Sequence, residues 1–344
     1  MKIVKKKKWY QKKPDKKFNL NLNKSRNVIF FLIKICSCIG MIIYLQIKRI
    51  NSQEAINNDF HDYNFNEQTK VCLCCIGKKE NLYISDFVNH YKNLGYNHIY
   101  IYDNNDINGE RFEEVLQDKI KSGFVNIMNF RGYRGRRDDA QMDAYYDCYQ
   151  RYNSKCNWIS FFDIDEYLFI VPQNGTNLTI QQYLDQPIFN NCESVKINWK
   201  SYSDSDLLYY ENKSVVERFK KFSKFRYEFG NIKSTIRTNI SRHLRRANNP
   251  HAIFSNARGC LSSGRRKDID FFMSPPNYKG AYINHYVTKT ISEYCNKIKR
   301  GNAEKTIPLK EKKLKERFHY FFMTNEKTQE KVDIFNKIFN TSFT

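Results

Sequence analysis

The stretch VCLCCIGKKENLYISDFVNHYKNLGYNHIYIYDNN, Val71 to Asn105, decides the fold class. Its first seven residues form a short apolar run ending in Gly77, the pattern of a strand buried on both faces. Leu82, Ile84, Phe87, Val88, Tyr91 and Leu94 then recur at roughly helical spacing, and Gly95 is placed to close that helix. HIYIYDNN, from His98, reads as a second strand with an acidic, Asn-rich end. The cadence repeats downstream. RFEEVLQDKIKSG, from Arg111 to Gly123, predicts a helix, FVNIMNF a third strand, and DDAQMDAYYDCYQRY, up to Tyr152, another helix. Strands alternating with helices in this way predict an α/β chain built from βαβ units around a parallel sheet. Ligands of such sheets bind beyond the C-terminal strand ends. Lys78 to Asn81, Asp103 to Asp106 and the RGYRGRRDD loop from Arg131 therefore come first as candidate binding segments.

The segment WISFFDIDEYLFI, Trp158 to Ile170, carries the densest chemistry. Asp163 and Asp165 are two apart, so on a continuous strand both would face one way and Ile164 the other. Two hard oxygen ligands on one face suit Mg²⁺ or Mn²⁺, which keeps some waters and takes its other ligands from substrate phosphates. Carboxylates after so apolar a run are costly unless paired, hydrated or metal-bound. The same spacing also occurs at hydrated strand ends and helix caps, so residue types alone leave both readings open.

The 344 residues suffice for one large domain or two small ones and carry a formal net charge of +22. Residues 1–26 hold eleven Lys or Arg against the single acid Asp15, leaving +12 on the rest. The basic head abuts VIFFLIKICSCIGMIIYLQI, Val28 to Ile47, and such a helix spans about 30 Å, the thickness of a hydrocarbon core. Lys34 lies near the basic end, where it can snorkel to the headgroups. The expected organisation is a cytoplasmic basic tail (1–27), one transmembrane signal-anchor (28–47) and a polar stem (48–69), with the bulk of the chain in the lumen. A cleaved signal peptide would show a shorter apolar core and a small-residue cleavage site, and a multipass chain would need a second apolar run. Charge concentrated before Val28, with no zinc-finger or homeodomain pattern, argues against a nucleic-acid partner. Sequons at Asn174, Asn177, Asn212, Asn239 and Asn340 lie beyond the span. So do eight of the ten cysteines, whose pairing cannot be read from spacing. The CLCC cluster reads as buried strand rather than metal site.

Five blocks, in order, resemble glycosyltransferase family 92 and the related family-2-like transferases of the GT-A fold. They are KKENLYISDFVNHYKNLGYNHIYIYDNND, WISFFDIDEYLFI, VKINWKSYSDSDLLYYENKSVVERF, KSTIRTNI with NNPHAIF, and INHYVTKTISEYCNKIKRG. Together they cover roughly residues 71–301. The resemblance implies a GT-A-like, Rossmann-type mixed sheet flanked by helices over 70–305, followed by a C-terminal helical segment (306–344). It implies transfer from a nucleotide-sugar donor, a UDP-sugar above all, to a glycan or glycoconjugate acceptor with inversion, using Mn²⁺ or Mg²⁺, in a single-pass type II protein of the Golgi. Carried over by position, Glu80, Asp103, Asp163, Glu166 and Lys289 would meet the nucleotide-sugar. Asp163, Asp165 and His285 would hold the metal. An inverting enzyme also needs a base for the acceptor hydroxyl, and Asp204 and Asp206, after the Trp199 strand, rank first. The sequence departs from the family pattern at Lys79 (usually Asn), Tyr167 (Phe), Thr290 (Ser) and SYSDSD (a Gly-rich turn). The alternative is an inactive glycan-binding or scaffolding protein on the same fold.

Overall fold

Strand β1 (Val71–Gly77) shows why its sequence is apolar throughout. Val71, Leu73 and Cys75 join one hydrophobic core, with Phe87, Ile99 and Ile101. Cys72 and Cys74 join a second, with Tyr100, Tyr102 and Met142 on the opposite face. A strand sandwiched this way has no polar side to show. This computed structural model describes residues 69–136, 139–225, 230–247, 249–268, 272–301 and 310–344, all within the compact unit Glu67–Thr344. The expected basic tail and membrane span, and all of the stem but Thr69, lie outside the described residues. Among the described residues no helix is long and apolar enough to cross a membrane.

The first half follows the sequence cadence. Helix α1 (Asn81–Asn93) buries Ile84, Phe87, Val88 and Tyr91. Strand β2 (His98–Asp103) pairs parallel with β1, and β3 (Val125–Asn129) pairs parallel with β2 after α2 (Glu113–Lys121). Helix α3 (Ala140–Tyr152), capped by Asp139, leads into β4 (Trp158–Phe161), parallel to the other edge of β1.

The second half departs from a parallel sheet. It comprises β5 (Glu166–Ile170), α4 (Ile180–Leu184), β6 (Ser194–Ser201), α5 (Val215–Arg218), β7 (Ile232–Arg237), β8 (Gly259–Leu261) and β9 (Ala281–His285). The sheet order is β3-β2-β1-β4-β7-β6-β9-β5, with β8 on β6. Strand β6 is shared. Ser194 to Asn198 pair antiparallel with β7, whereas Trp199 to Ser201 pair parallel with β9. Strand β5 runs antiparallel to β9 and puts Glu166 opposite His285. The sheet is thus mixed and curled, as the resemblance implied, and consistent with a GT-A-like fold. Helices α6 (Ile291–Arg300), α7 (Glu311–Thr324) and α8 (Gln329–Phe339) build a third core around Tyr294, Phe318, Phe321 and Phe335. Disulfides join Cys72 to Cys156 and Cys192 to Cys260, while Cys74 and Cys75 stay as buried thiols.

The strand does not continue through the acidic pair. β4 ends at Phe161, and residues 163–165 form a turn in which the Glu166 N–H donates to the Asp163 carbonyl (3.0 Å). The Glu166 carboxylate accepts the Asp163 N–H in return (2.9 Å). Asp163 and Asp165 are displayed by this turn and not by strand alternation. Ile164 anchors it. A Cβ on Gly77 would sit 2.3 Å from Ile164 Cδ1 and 2.8 Å from Phe112. Gly77→Ala is therefore expected to destabilise the protein by about 1–3 kcal/mol through overpacking. Urea unfolding checks this, with unchanged stability as the contrary result.

Candidate active site

Asp163 is held on both oxygens. Lys233 Nζ, from β7, lies 2.8 Å from Oδ2, while Gln141 Nε2 (2.5 Å) and the Tyr145 hydroxyl (2.8 Å), from α3, donate to Oδ1. Burial works to raise the Asp163 pKa, but Lys233 overrides it and holds the carboxyl below its ordinary value. Lys233 is fully buried; burial opposes its charge, yet Asp163 and Glu166 lift its pKa. Glu166, also fully buried, lies 3.5 Å from Lys233 and is pushed well above the usual carboxylate range by that burial. Asp163, one third exposed, keeps the buried Lys233 ammonium paired, and losing either partner would strand the other's charge.

Asp165 faces the other way. Its Oδ2 accepts from Lys297 Nζ of α6 at 2.7 Å, and its Oδ1 lies 3.7 Å from His285 Nε2. Despite burial, Lys297, His285 and Lys289 hold the Asp165 carboxyl far below its ordinary value. His285 packs against the Trp199 ring, centroids 4.0 Å apart, and burial pushes its pKa down to about 3. The imidazole is therefore neutral at physiological pH, with lone-pair capacity to ligate. Its Nδ1 is buried without a hydrogen-bond partner.

Those observations test the implied metal. Among the described residues no group of three or more His, Cys, Asp or Glu could hold an ion. Two protein donors do fit, the ionised Asp165 Oδ1 and the neutral His285 Nε2. Mg²⁺ and Mn²⁺ accept such sparse sets because water and substrate oxygens complete their shells. Asp163 already accepts three hydrogen bonds, two on Oδ1 and one on Oδ2, which leaves a lone pair on Oδ2 as its remaining donor.

Beside Asp165 opens a cleft of about 390 Å³ lined by Lys79, Glu80, Tyr83, Lys289, Lys297 and Arg300 among others. It lies where the β1–α1 turn meets α6, beyond the C-terminal end of β1, where α/β sheets take ligands. Arg300 pairs with Glu80 and donates to the Lys78 carbonyl (2.8 Å). Arg218 and Glu293 form a buried two-point pair (2.9 and 3.0 Å), and Glu293 also accepts from Tyr83 (2.8 Å). Lys289 differs from these. It is 5% exposed, its backbone is left-handed (φ 52°), and Nζ stands 4.3 Å over the Tyr83 ring. Among the described residues it makes no hydrogen bond or ion pair. Burial lowers its pKa, against the pull of the nearby Glu80, Asp165 and Glu293 carboxylates. A buried, unpaired cation facing a cleft suits an anionic ligand.

Glu80, Asp163, Asp165, Glu166, His285 and Lys289 therefore gather in one region. The others have different neighbours. Asp103 is buried against Arg131 (2.8 Å) and accepts from the Asn105 N–H. Arg131, at the start of a candidate binding segment, donates to carbonyls of Asp106, Ile107, Gly109 and Glu110 and so fastens that loop. Asp204 is 1% exposed and forms a 2.7 Å pair with Lys331 of α8. Asp206 is exposed and bridges to Lys221. The roles of Lys233, Lys297, Arg300, Arg218 and Glu293 had no local signal. All five lie inside the motif blocks quoted above, but only the fold shows which acids they face.

The profile of glycosyltransferase family 92 matches residues 67–337. Galactan beta-1,4-galactosyltransferase GALS1 of Arabidopsis thaliana is 26% identical over 129 residues, covering 32% of this chain and 25% of that protein. A glycosyltransferase family 92 protein of Ricinus communis is 24% identical over 127 residues, covering 36% of this chain and 21% of its own. The chain thus matches a quarter or less of the length of these curated relatives. Among solved structures, S. aureus TarS residues 1–349 with UDP-GlcNAc aligns at TM-score 0.36 and 10% identity, over 79% of this chain and 72% of that one.

Proposed function

The chain belongs to glycosyltransferase family 92, and from that premise we propose that it transfers a sugar from a UDP-sugar to a glycan or glycoconjugate acceptor, with inversion and with the help of Mn²⁺ or Mg²⁺. The observation that carries this reading is Lys289, a buried ammonium that makes no ion pair or hydrogen bond among the described residues, lining the cleft beside Asp165. In this reading the donor diphosphate takes the Lys289 ammonium, with Lys297 and Arg300 adding positive charge. Asp165 and His285 hold the metal, which supplies charge neutralisation to the leaving diphosphate. Lys297 and Lys289 keep Asp165 ionised, and Lys233 keeps Asp163 ionised and fixed. Glu166 secures the turn that displays both.

The setting follows the same reading: a type II Golgi protein with its catalytic domain in the lumen. The two disulfides support an oxidising compartment. The asparagines of all five sequons are exposed, as acceptor sites of a lumenal domain should be.

A thermal-shift panel on the detergent-solubilised chain tests the donor site. UDP-galactose comes first, given the galactosyltransferase named among the relatives, then UDP-glucose and UDP-N-acetylglucosamine, each with and without Mn²⁺. Stabilisation that needs the metal is expected, worth about 2.7 kcal/mol at a hundredfold excess over Kd. Lys289→Met should abolish that stabilisation without lowering the ligand-free Tm, because no ion pair is lost. Equal stabilisation of variant and wild type would remove Lys289 from the donor site.

A further inference from the structure

Inverting transfer needs a proton acceptor at the acceptor hydroxyl, and several carboxylates of the domain are held in ion pairs. Asp163 is tied to Lys233, Asp204 to Lys331, Asp206 to Lys221, and Glu193 to Arg242 and Arg258. One side chain has the opposite character. His251 Nδ1 lies 2.8 Å from the Ile232 carbonyl, which only accepts, so the proton sits on Nδ1. In the neutral ring Nε2 then carries the lone pair. Among the described residues no hydrogen bond occupies Nε2. The backbone is pinned as well, by Asn249 Oδ1 on the His251 N–H (2.9 Å) and by the Ser234 hydroxyl on its carbonyl (2.9 Å).

Its position follows from a run of contacts. Lys297 touches Asp165, Asp165 faces His285, His285 stacks on Trp199, and the other neighbour of Trp199 is His251, centroids 5.0 Å apart. His251 also lies close enough to Lys233 and Asp163 to feel their charges, so it sits beside the acidic cluster and apart from the residues that line the cationic cleft. A base has to stand apart from the leaving group, which this arrangement allows.

We propose that His251 is the catalytic base of this transferase, taking the acceptor hydroxyl proton on Nε2. The assignment rests on the transferase reading of the site. The acceptor oxygen attacks the anomeric carbon, the bond from that carbon to the diphosphate oxygen breaks with its electron pair leaving on UDP, and the hydroxyl proton passes to Nε2. The resulting imidazolium returns the proton to water. Burial, then the nearby Lys233, lowers the His251 pKa to about 4, so the ring is neutral at pH 7 and a developing negative charge on the acceptor oxygen has to supply the drive for the proton transfer.

His251→Asn is the informative variant, because its amide can still donate to Ile232 while Nε2 is gone. His251→Gln is the second, should the first unfold. The full chain in detergent, with Mn²⁺, is given pooled UDP-galactose, UDP-glucose and UDP-N-acetylglucosamine over a mixture of β-galacto- and β-gluco-oligosaccharides, and UDP release is followed. The expected result is a loss of kcat of about 100-fold or more, with donor KM within about twofold and the UDP-induced Tm shift unchanged. A folded variant keeping more than about a third of wild-type kcat overturns the base. So does a comparable loss in Asp204→Asn or Asp206→Asn but not in His251→Asn, and so does a wild type that binds UDP yet releases none. If UDP fails to stabilise the wild type, the donor site itself falls, and the base with it.

Discussion

Asp165→Asn is expected to cut sugar transfer by about 100-fold or more while the protein stays folded. The substitution keeps shape and removes one charge at the point where three groups converge. Lys297 loses its 2.7 Å partner, His285 loses the carboxylate at 3.7 Å, and Lys289 loses a nearby counter-charge. In the proposed chemistry Oδ1 of the same carboxylate is one of two protein donors to the metal. A Mn²⁺ titration of UDP release separates these effects. A metal-ligand role predicts that more Mn²⁺ restores part of the rate, because weakened affinity is overcome by mass action. Undiminished transfer at every Mn²⁺ concentration would remove Asp165 from the site.

The second large effect is on stability. Glu293→Ala is expected to destabilise the protein by about 3–5 kcal/mol, because it strands a buried guanidinium. The Arg218 side chain is 0% exposed and makes both of its ion-pair hydrogen bonds to Glu293. The loss also removes the acceptor for Tyr83 and the carboxylate that reciprocates the Thr290 cap of α6. A Tm decrease of roughly 5–10 °C follows for a unit of this size. Burial acts to raise the Glu293 pKa, but Arg218 and Thr290 prevail and hold it below its ordinary value. With a depressed folded-state value, its contribution is complete above the unfolded pKa of about 4.3 and fades as pH falls through the folded value. Urea titrations should therefore show the gap between wild type and variant at pH 7 shrinking below about pH 4. A gap independent of pH would mean that packing, not charge, carries the effect.

Both predictions involve partners far apart in sequence. Asp165 and Lys297 are 132 residues apart, and Arg218 and Glu293 are 75 apart. Helical spacing from Leu82 to Leu94 and continuous apolarity in Val71 to Gly77 were legible because each reflects what its own segment buries, and Gly95 and Gly123 because each takes the positive φ that ends a helix. The family blocks added the mixed sheet and pointed to His285 and Lys289, two residues with no local pattern. They did not show that Asp204 meets Lys331 or that Asp206 meets Lys221. Nor did they show that Lys233 rises through β7 beneath Asp163. Those facts depend on where a strand lands beside another.

The display of the acidic pair marks the boundary most clearly. Spacing alone placed Asp163 and Asp165 on one face of a strand. Their arrangement comes instead from a turn whose middle residue, Ile164, packs against Gly77 from another strand. By itself the sequence determined the alternating elements, the two-sided burial of β1 and the presence of carboxylates where β4 ends. Those are properties of short segments, set by side-chain period and backbone preference. Tertiary structure decided the rest, because β6 pairs with β7 in its first half and with β9 in its second. That change of partner brings His285 to Asp165 and leaves the Trp199 ring in contact with both His285 and His251, and no local pattern of residues encodes it.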